Sequence, residues 1–456
     1  MNKSRLLEGK PLSAIVTFTI PLLIGNIFQQ LYNMADTVIV GRFVGQNALA
    51  AVGSTGTIMF LIQGLANGLS SGFTVMTSQR FGAGDKKGTR RSVSNAIVMS
   101  AIVTILLTAL STLLMHRILH LMNTPKEIYN YAYDYIIVIC IGLFSTVYYN
   151  LFAAMLRAVG NARMPLVFLV FSACLNVGLD LLLIIKFHMG TQGAAVATVI
   201  SQGISAVLEA VYILARQPEL RLQKDFYRIN RQMAKSQLVV GVPMALQFGI
   251  TASGTMIMQA AINIYGPLAV AAYTAASKVQ NVLCQGYMSV GQTMAAYTGQ
   301  NYGAGKIDRI HSGVRASMKL DVVYSVVVGT LALLLLRPGM SLFFDAKTNI
   351  GKMMPYAWPY MIASVICFIP LGMIFIFRNT MQGCGYGLMP MLGGVVELIC
   401  RMTFAIASMV SGIYVLAAMS DASAWVGAGL FTCLAYRSII KKVDQEFAGR
   451  ERAADF

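Results

Sequence analysis

Apolar residues run through this chain in stretches of about 20, the length a helix needs to cross the hydrocarbon core of a bilayer. Short polar segments separate them. Twelve such stretches are predicted to be membrane-spanning helices: 14–40, 48–78, 94–116, 129–154, 165–187, 193–215, 237–264, 268–298, 318–336, 354–379, 389–411 and 420–438. The last pair is the least regular, because Ser420 and Asp421 interrupt the run.

The pattern occurs twice. Pro21 aligns with Pro243, and Ala48, Ala50 and Ala51 with Ala269, Ala271 and Ala272. The loop Gln79-Arg80-Phe81-Gly82-Ala83-Gly84 answers Gln300-Asn301-Tyr302-Gly303-Ala304-Gly305, and Gly160 with Met164-Pro165 answers Gly385 with Met389-Pro390. These offsets stay between 221 and 225, as one coherent duplication would leave them. Six spans per half send both halves into the membrane in the same direction, a parallel repeat about an axis along the membrane normal. The predicted organisation is an all-α integral membrane protein. It has an N-terminal six-helix lobe (1–215), a basic cytoplasmic linker (216–236) and a C-terminal six-helix lobe with a short tail (237–456). Two similar lobes around a central cavity can rock to open it to each side in turn, which favours a transporter over a membrane enzyme or scaffold.

Composition sharpens this. Hydrophobic residues make up 56% and charged residues 12%, against about 25% charged in a soluble globular chain. The net charge of +17 lies in the connecting segments and is unevenly shared. One side carries Lys3, Arg5 and Lys10, Arg80 to Arg91, Arg157 and Arg163, Arg216 to Lys235, Lys306 to Lys319, Arg378, and Arg437 to Arg452. The other has Arg42, Arg117, Lys126, Lys186, Arg337, Lys347 and Lys352. The positive-inside rule puts both termini in the cytoplasm, which requires an even number of spans. No basic–aromatic interleaving points to nucleic acid. The seven cysteines sit in apolar stretches without a CxxC pair and read as packing residues. The start imitates a signal peptide, but its apolar run continues through Gln29, Gln30 and Asn33 to Asp36 without a small-residue cleavage site. It is read as a retained first span.

Charges inside the spans carry the chemistry, since each costs about 2.5–3.5 kcal/mol near mid-membrane. Gln29, Tyr32, Asn33 and Asp36 fall at i, i+3, i+4 and i+7, one polar stripe on the first helix, in which Gln29 and Asn33 are candidate substrate or gating residues. Asn176 and Asp180 make a second stripe on the fifth, and Thr198 follows in the sixth. Carboxylate, amide and hydroxyl oxygens suit a hard cation, and two buried carboxylates together need a cation or a proton. The second half has no carboxylate at the matching positions. It has Ile257 or Met258 opposite Asp36, Ala405 opposite Asp180, and Arg401 opposite Asn176. There, Glu397 and Arg401 are i, i+4, either a self-neutralising pair or a substrate and gating pair. Lys278 either snorkels or pairs with Glu397. Glu209, near the basic end of the sixth span, is expected to reach the headgroups. His116 and His120 read as an interfacial pair, not a metal site. The Gly82 and Gly303 loops lack the phosphate-loop pattern, so transport would be driven by an ion gradient. Pro21 and Pro243 can kink their helices.

These features together resemble the multidrug and toxic compound extrusion (MATE) family, in its DinF-like and MepA-like branch. The resemblance covers about residues 8–440. It rests on the Pro21–Gly41 stretch with Gln29-Gln30-Leu31-Tyr32-Asn33-Met34-Ala35-Asp36, the repeated Gly-Ala-Gly loops, Asn176-x-x-x-Asp180 and Glu397-Leu398-Ile399-Cys400-Arg401. It implies two six-helix lobes around a V-shaped cavity and export of lipophilic organic cations by alternating access, against sodium or protons. It also implies a monomer in the bacterial inner membrane, with no cofactor beyond the coupling ion. The ion site of DinF-like relatives maps onto Asp36, Asn176, Asp180, Thr198 and Tyr32, the first four being metal ligands if the ion is sodium. Such relatives bend the first helix at a proline matching Pro21. The NorM-like branch carries acidic residues in helices seven and ten; this chain has none there, which argues against an ion site in the second lobe. The alternative in the same superfamily fold is a lipid-linked oligosaccharide flippase, for which Lys278 and Arg401 are the available cations.

Overall fold

The computed structural model describes residues 5–122, 124–222, 228–344 and 349–454, the last five of these by backbone alone. Lys3, Lys224 and Lys347, used in the charge argument, lie outside the described residues, as do the side chains of Arg450 and Arg452. Every regular element among the described residues is helical.

The first half runs α1 (Pro11–Phe43), α2 (Gln46–Ser54) with α3 (Gly56–Gly82), α4 (Lys86–Leu121), α5 (Lys126–Ile141) with α6 (Leu143–Ala158), α7 (Arg163–Asp180) and α8 (Gly190–Arg216). A π-helical stretch, Leu181–Lys186, extends α7. The second half repeats this with α9 (Arg231–Asn263), α10 (Pro267–Leu283) with α11 (Gln285–Gly303), α12 (Ile307–Ser341), α13 (Met354–Ile366) with α14 (Phe368–Gly383), α15 (Leu388–Ser411), and α16 (Tyr414–Ala418) with α17 (Ser420–Ala454). The duplication extends to backbone detail. The α5–α6 rod bends by 51° and the α13–α14 rod by 49°. Left-handed turns, which favour glycine because it has no Cβ, recur at Gly84 and Gly305 (φ 72° and 73°) and at Gly160 and Gly385 (88° and 94°).

Nine helices among the described residues are long and apolar enough to span a bilayer, and the two bent pairs make eleven. The remaining rod is α10–α11. Its second half carries Gln285, Gln300 and Asn301, all buried, so its polarity faces protein and not lipid. Several helices overrun the predicted apolar windows. α4 starts at Lys86, where the Asp85 side chain caps it by accepting from the Gly88 N–H at 2.8 Å. The 216–236 segment is also partly helical, since α9 begins at Arg231.

The chain forms two compact units, but not at the predicted boundaries. One is residues 20–245; the other joins residues 1–19 to 246–456. Thus α1 changes unit beside Pro21 and α9 beside Pro243. In the first unit, α3 has glycines where α9 lies against it; a Cβ on Gly68 would come 2.6 Å from the Ala245 Cα. Buried Gln237 fixes this contact, donating to the Phe73 and Ser92 carbonyls (3.1 and 3.0 Å) and accepting from Asn95 at 2.7 Å. In the second unit, Thr19 meets Thr293 at 2.8 Å. Leu6 is 1% exposed. Arg309 donates to the carbonyls of Leu6, Glu8 and Gly9, Lys306 to that of Leu7, and Asn301 to that of Leu6. The sequence repeat could not reveal this exchange, because it records which segments are alike and not what each packs against.

Candidate functional site

Asp36 sits on the part of α1 that belongs to the 20–245 unit, and its side chain turns into that unit. Asp180 ends α7 where the helix widens into its π-helical stretch, a geometry frequent at functional sites. The two carboxyls are in hydrogen-bonding contact, and Asp180 is 0% exposed. Two carboxyl oxygens can approach this way if a proton or a cation lies between them. The Asp36 Oδ1 has no hydrogen-bond partner among the described residues.

Around this pair the other predicted residues assemble. Asn176, one turn before Asp180 on α7, donates from Nδ2 to Thr198 Oγ1 at 3.3 Å. The Tyr32 hydroxyl, one turn before Asp36, donates to the same Thr198 oxygen at 3.4 Å. Asn176 and Thr198 are buried. The stripe on α1 divides, however. Tyr32 and Asp36 face the lobe, whereas Gln29 donates to the exposed Asn33 at 3.4 Å. Two groups were missed. Tyr135 of α5, 4% exposed, faces Asp36, Tyr32 and Asp180. Ser201, one turn beyond Thr198, is buried and reaches Tyr32. The helical period from Thr198 could have pointed to Ser201. Tyr135 could not be singled out, since it lies among Tyr129, Tyr131 and Tyr133. As a donor set, two carboxylates, an amide and a hydroxyl fit either a sodium ion or a proton.

The second unit holds a different arrangement. Arg401 is 3% exposed; its Nη2 donates to Glu397 Oε1 at 2.9 Å and its Nε to Asp421 Oδ1 at 2.8 Å. The predicted i, i+4 pair is therefore a triad, and the residue that seemed to break the last span supplies its third member. The Tyr360 hydroxyl lies within hydrogen-bonding reach of both the Gln280 Oε1 and the Asp421 Oδ2, either of which can accept its one proton. Lys278 is not part of it: it is exposed, with Nζ 5.8 Å from the Phe343 ring centre. Asp321 of α12, unremarked in the sequence, is 3% exposed and accepts from Ser325 at 3.4 Å. Two expectations in the first unit need revision or detail. Glu209 does not reach toward headgroups; it is 0% exposed. His116 bonds the Tyr129 hydroxyl at 2.8 Å and stacks on Tyr133, and His120 lies against Tyr129.

The MatE family model matches residues 21–182 and again 243–407. The chain belongs to that family. The two matched segments of this MatE protein begin at its two equivalent prolines, Pro21 and Pro243. A Bacillus subtilis (strain 168) protein named "Probable multidrug resistance protein YpnP" is 27% identical over 305 residues, 66% of this chain and 68% of that one. A Thermotoga maritima protein named "Probable multidrug resistance protein NorM" is 26% identical over 334 residues, 72% and 71% of the two chains. A crystal structure of MATE in the bent conformation has a TM-score of 0.89 at 23% identity, covering 98% of this chain and 99% of its own. The MatE chain thus has the twelve-span, two-lobe transporter fold.

Proposed function

We propose that this MatE protein is a cation-coupled antiporter that exports small lipophilic organic cations by alternating access, acting as a monomer in the cytoplasmic membrane with both termini inside. The observation that carries this is the Asp36–Asp180 contact, buried in one unit and backed by Tyr32, Asn176 and Thr198. A buried carboxyl pair of this kind binds one positive charge and gives it up when the surroundings change, which is what coupling to an ion gradient requires. A carboxyl pair in contact can share one proton, and we take the proton as the coupling ion. Sodium would use Asp36, Asn176, Asp180 and Thr198 as ligands. The names of the YpnP and NorM relatives support drug export. Pro21, which offers no N–H to the Thr17 carbonyl, marks where α1 would bend as the ion binds.

Flipping of a lipid-linked oligosaccharide finds little support, because it needs free cations for pyrophosphate. Arg401 is bound by two carboxylates, and Lys278 lies apart from it against Phe343.

The test uses purified protein in liposomes, ethidium as the fluorescent cation, and a proton or a sodium gradient imposed separately. Wild type should export under one gradient. Asp36→Asn and Asp180→Asn should each lose gradient-driven export while keeping the fold. If both variants exported at the wild-type rate, the assigned site would be wrong.

A further inference from the structure

The polar character of the ion site continues along α8. Thr198, Ser201, Gln202, Ser205 and Glu209 fall at i, i+3, i+4, i+7 and i+11, so they share one helix face. All five are buried, Ser201, Ser205 and Glu209 at 0% exposure. Glu209 is the costly member of this face, since an ionisable group inside a membrane span is rare and marks a functional path by default. α6 packs along it and presents a matching face: Thr146, Tyr149, Asn150 and Arg157, at i, i+3, i+4 and i+11. The two faces interlock, since the Thr146 hydroxyl donates to Gln202 Oε1 at 2.6 Å. From Thr198 to Glu209 is eleven residues, about 16 Å of helix at about 1.5 Å each. Glu209 therefore lies between the ion site and the Arg216 end of α8.

Glu209 is not built as a structural ion pair. Its two carboxyl oxygens have no hydrogen-bond partner among the described residues, although a buried, unsatisfied carboxylate is among the most expensive groups a fold can hold. Arg157 is the cation that faces it. Tyr149 is acted on by Glu209, by Arg157 and by Tyr32 of the ion site, so it lies between the two ends of the seam. The Arg401 triad shows what a closed pair looks like in this molecule, with contacts at 2.8 and 2.9 Å. Glu209 and Arg157 have no such contact.

We propose that the α6–α8 seam is the route by which protons leave the Asp36–Asp180 site, with Glu209 as its relay carboxylate. This rests on the proton reading of that site. A proton leaves the carboxyl pair and passes along this face by way of its hydroxyl groups. Among them are Ser201, which now donates to the Thr198 carbonyl, Tyr149, and Ser205, whose Oγ has no hydrogen-bond partner among the described residues. Each would turn to accept one proton and donate one. The Glu209 carboxylate takes it up as the acid and then releases it to water at the Arg216 end, where Arg157 stabilises the carboxylate left behind. No bond other than O–H forms or breaks, and no electrons are exchanged.

The experiment compares wild type, Asp36→Asn, Glu209→Gln and Glu209→Asp as full-length protein in liposomes containing a pH dye, with ethidium as substrate. Glu209→Gln should slow proton-driven export and its accompanying proton flux by about a hundredfold, the low end of what a lost proton acceptor costs. Ethidium–ethidium exchange at equal pH, which turns over no proton, should stay within about twofold of wild type. Glu209→Asp should recover part of the proton flux. Wild-type proton flux in Glu209→Gln would overturn the proposal, even where Asp36→Asn has lost it and the ion site stands. Equal loss of driven export and of exchange, unrelieved by Asp, would make Glu209 a packing residue. A wild type that moves no protons with ethidium would defeat the proton reading itself and this inference with it.

Discussion

Arg401 is enclosed by Glu397 and Asp421, so replacing it strands two carboxylates inside the second unit. Breaking a buried pair from the cation side costs about 3–5 kcal/mol. Arg401→Met should therefore lower the thermal unfolding temperature of the purified protein clearly. Glu397→Gln should cost less, because Asp421 still neutralises the guanidinium. Equal stability of Arg401→Met and wild type would show that the triad is not a structural element. The same three residues show what could be read in advance. Glu397 and Arg401 are neighbours on one helix, and helical spacing reveals such pairs. Asp421 comes from α17, beyond the left-handed turn at Gly412 and the short α16, and no local spacing connects it to Arg401. Asp36, Asn176, Asp180 and Thr198 were legible because each is a polar exception within an apolar run. Their convergence was implied by the family resemblance; in the structure Asn176 bonds Thr198 at 3.3 Å, and Asp36 lies against Asp180.

Among the helices, the same reasoning works in one direction. Apolar length located the spans, but not the side of each helix that meets protein. Glu209 lies seven residues from the end of α8 and therefore looked solvated; its helix face turns it inward instead. Packing between helices is also set by residues that carry no chemical signal. Gly68 lets α3 approach α9 until a Cβ would sit 2.6 Å from the Ala245 Cα, and backbone cannot swing aside as a side chain does. Gly68→Val should push the two helices apart and destabilise by about 1–3 kcal/mol, as overpacking does. Gly53 of α2 has nothing within 4 Å of its would-be Cβ. Gly53→Ala should be neutral or stabilise by up to about 1 kcal/mol, through the helix preference of alanine alone. Thermal unfolding of the two variants in the same detergent checks the contrast; equal effects would mean that the α3–α9 contact yields more easily than its geometry indicates.

At the scale of the whole molecule, the duplication and the units do not divide the chain at the same places. The repeat divides it between α8 and α9, whereas the units divide it within α1 and within α9. Neither half-chain therefore contains a complete unit. A fragment ending at residue 226 lacks the start of α9, including Gln237, whose side chain ties α9 to the Phe73 and Ser92 carbonyls and to Asn95. It would leave those buried groups unsatisfied and the Gly68 face of α3 bare. A fragment beginning at residue 227 lacks Leu6 to Gly9, so Arg309, Lys306 and Asn301 lose the carbonyls they hold. Each fragment made alone should be degraded or aggregate in the membrane. Made together in one cell, the two should copurify through a tag on one of them, because each supplies the helix segment missing from the other's unit. Stable, separately purifiable halves would show that the exchanged segments contribute little to the folding of either unit, and that the repeat boundary is the folding boundary after all.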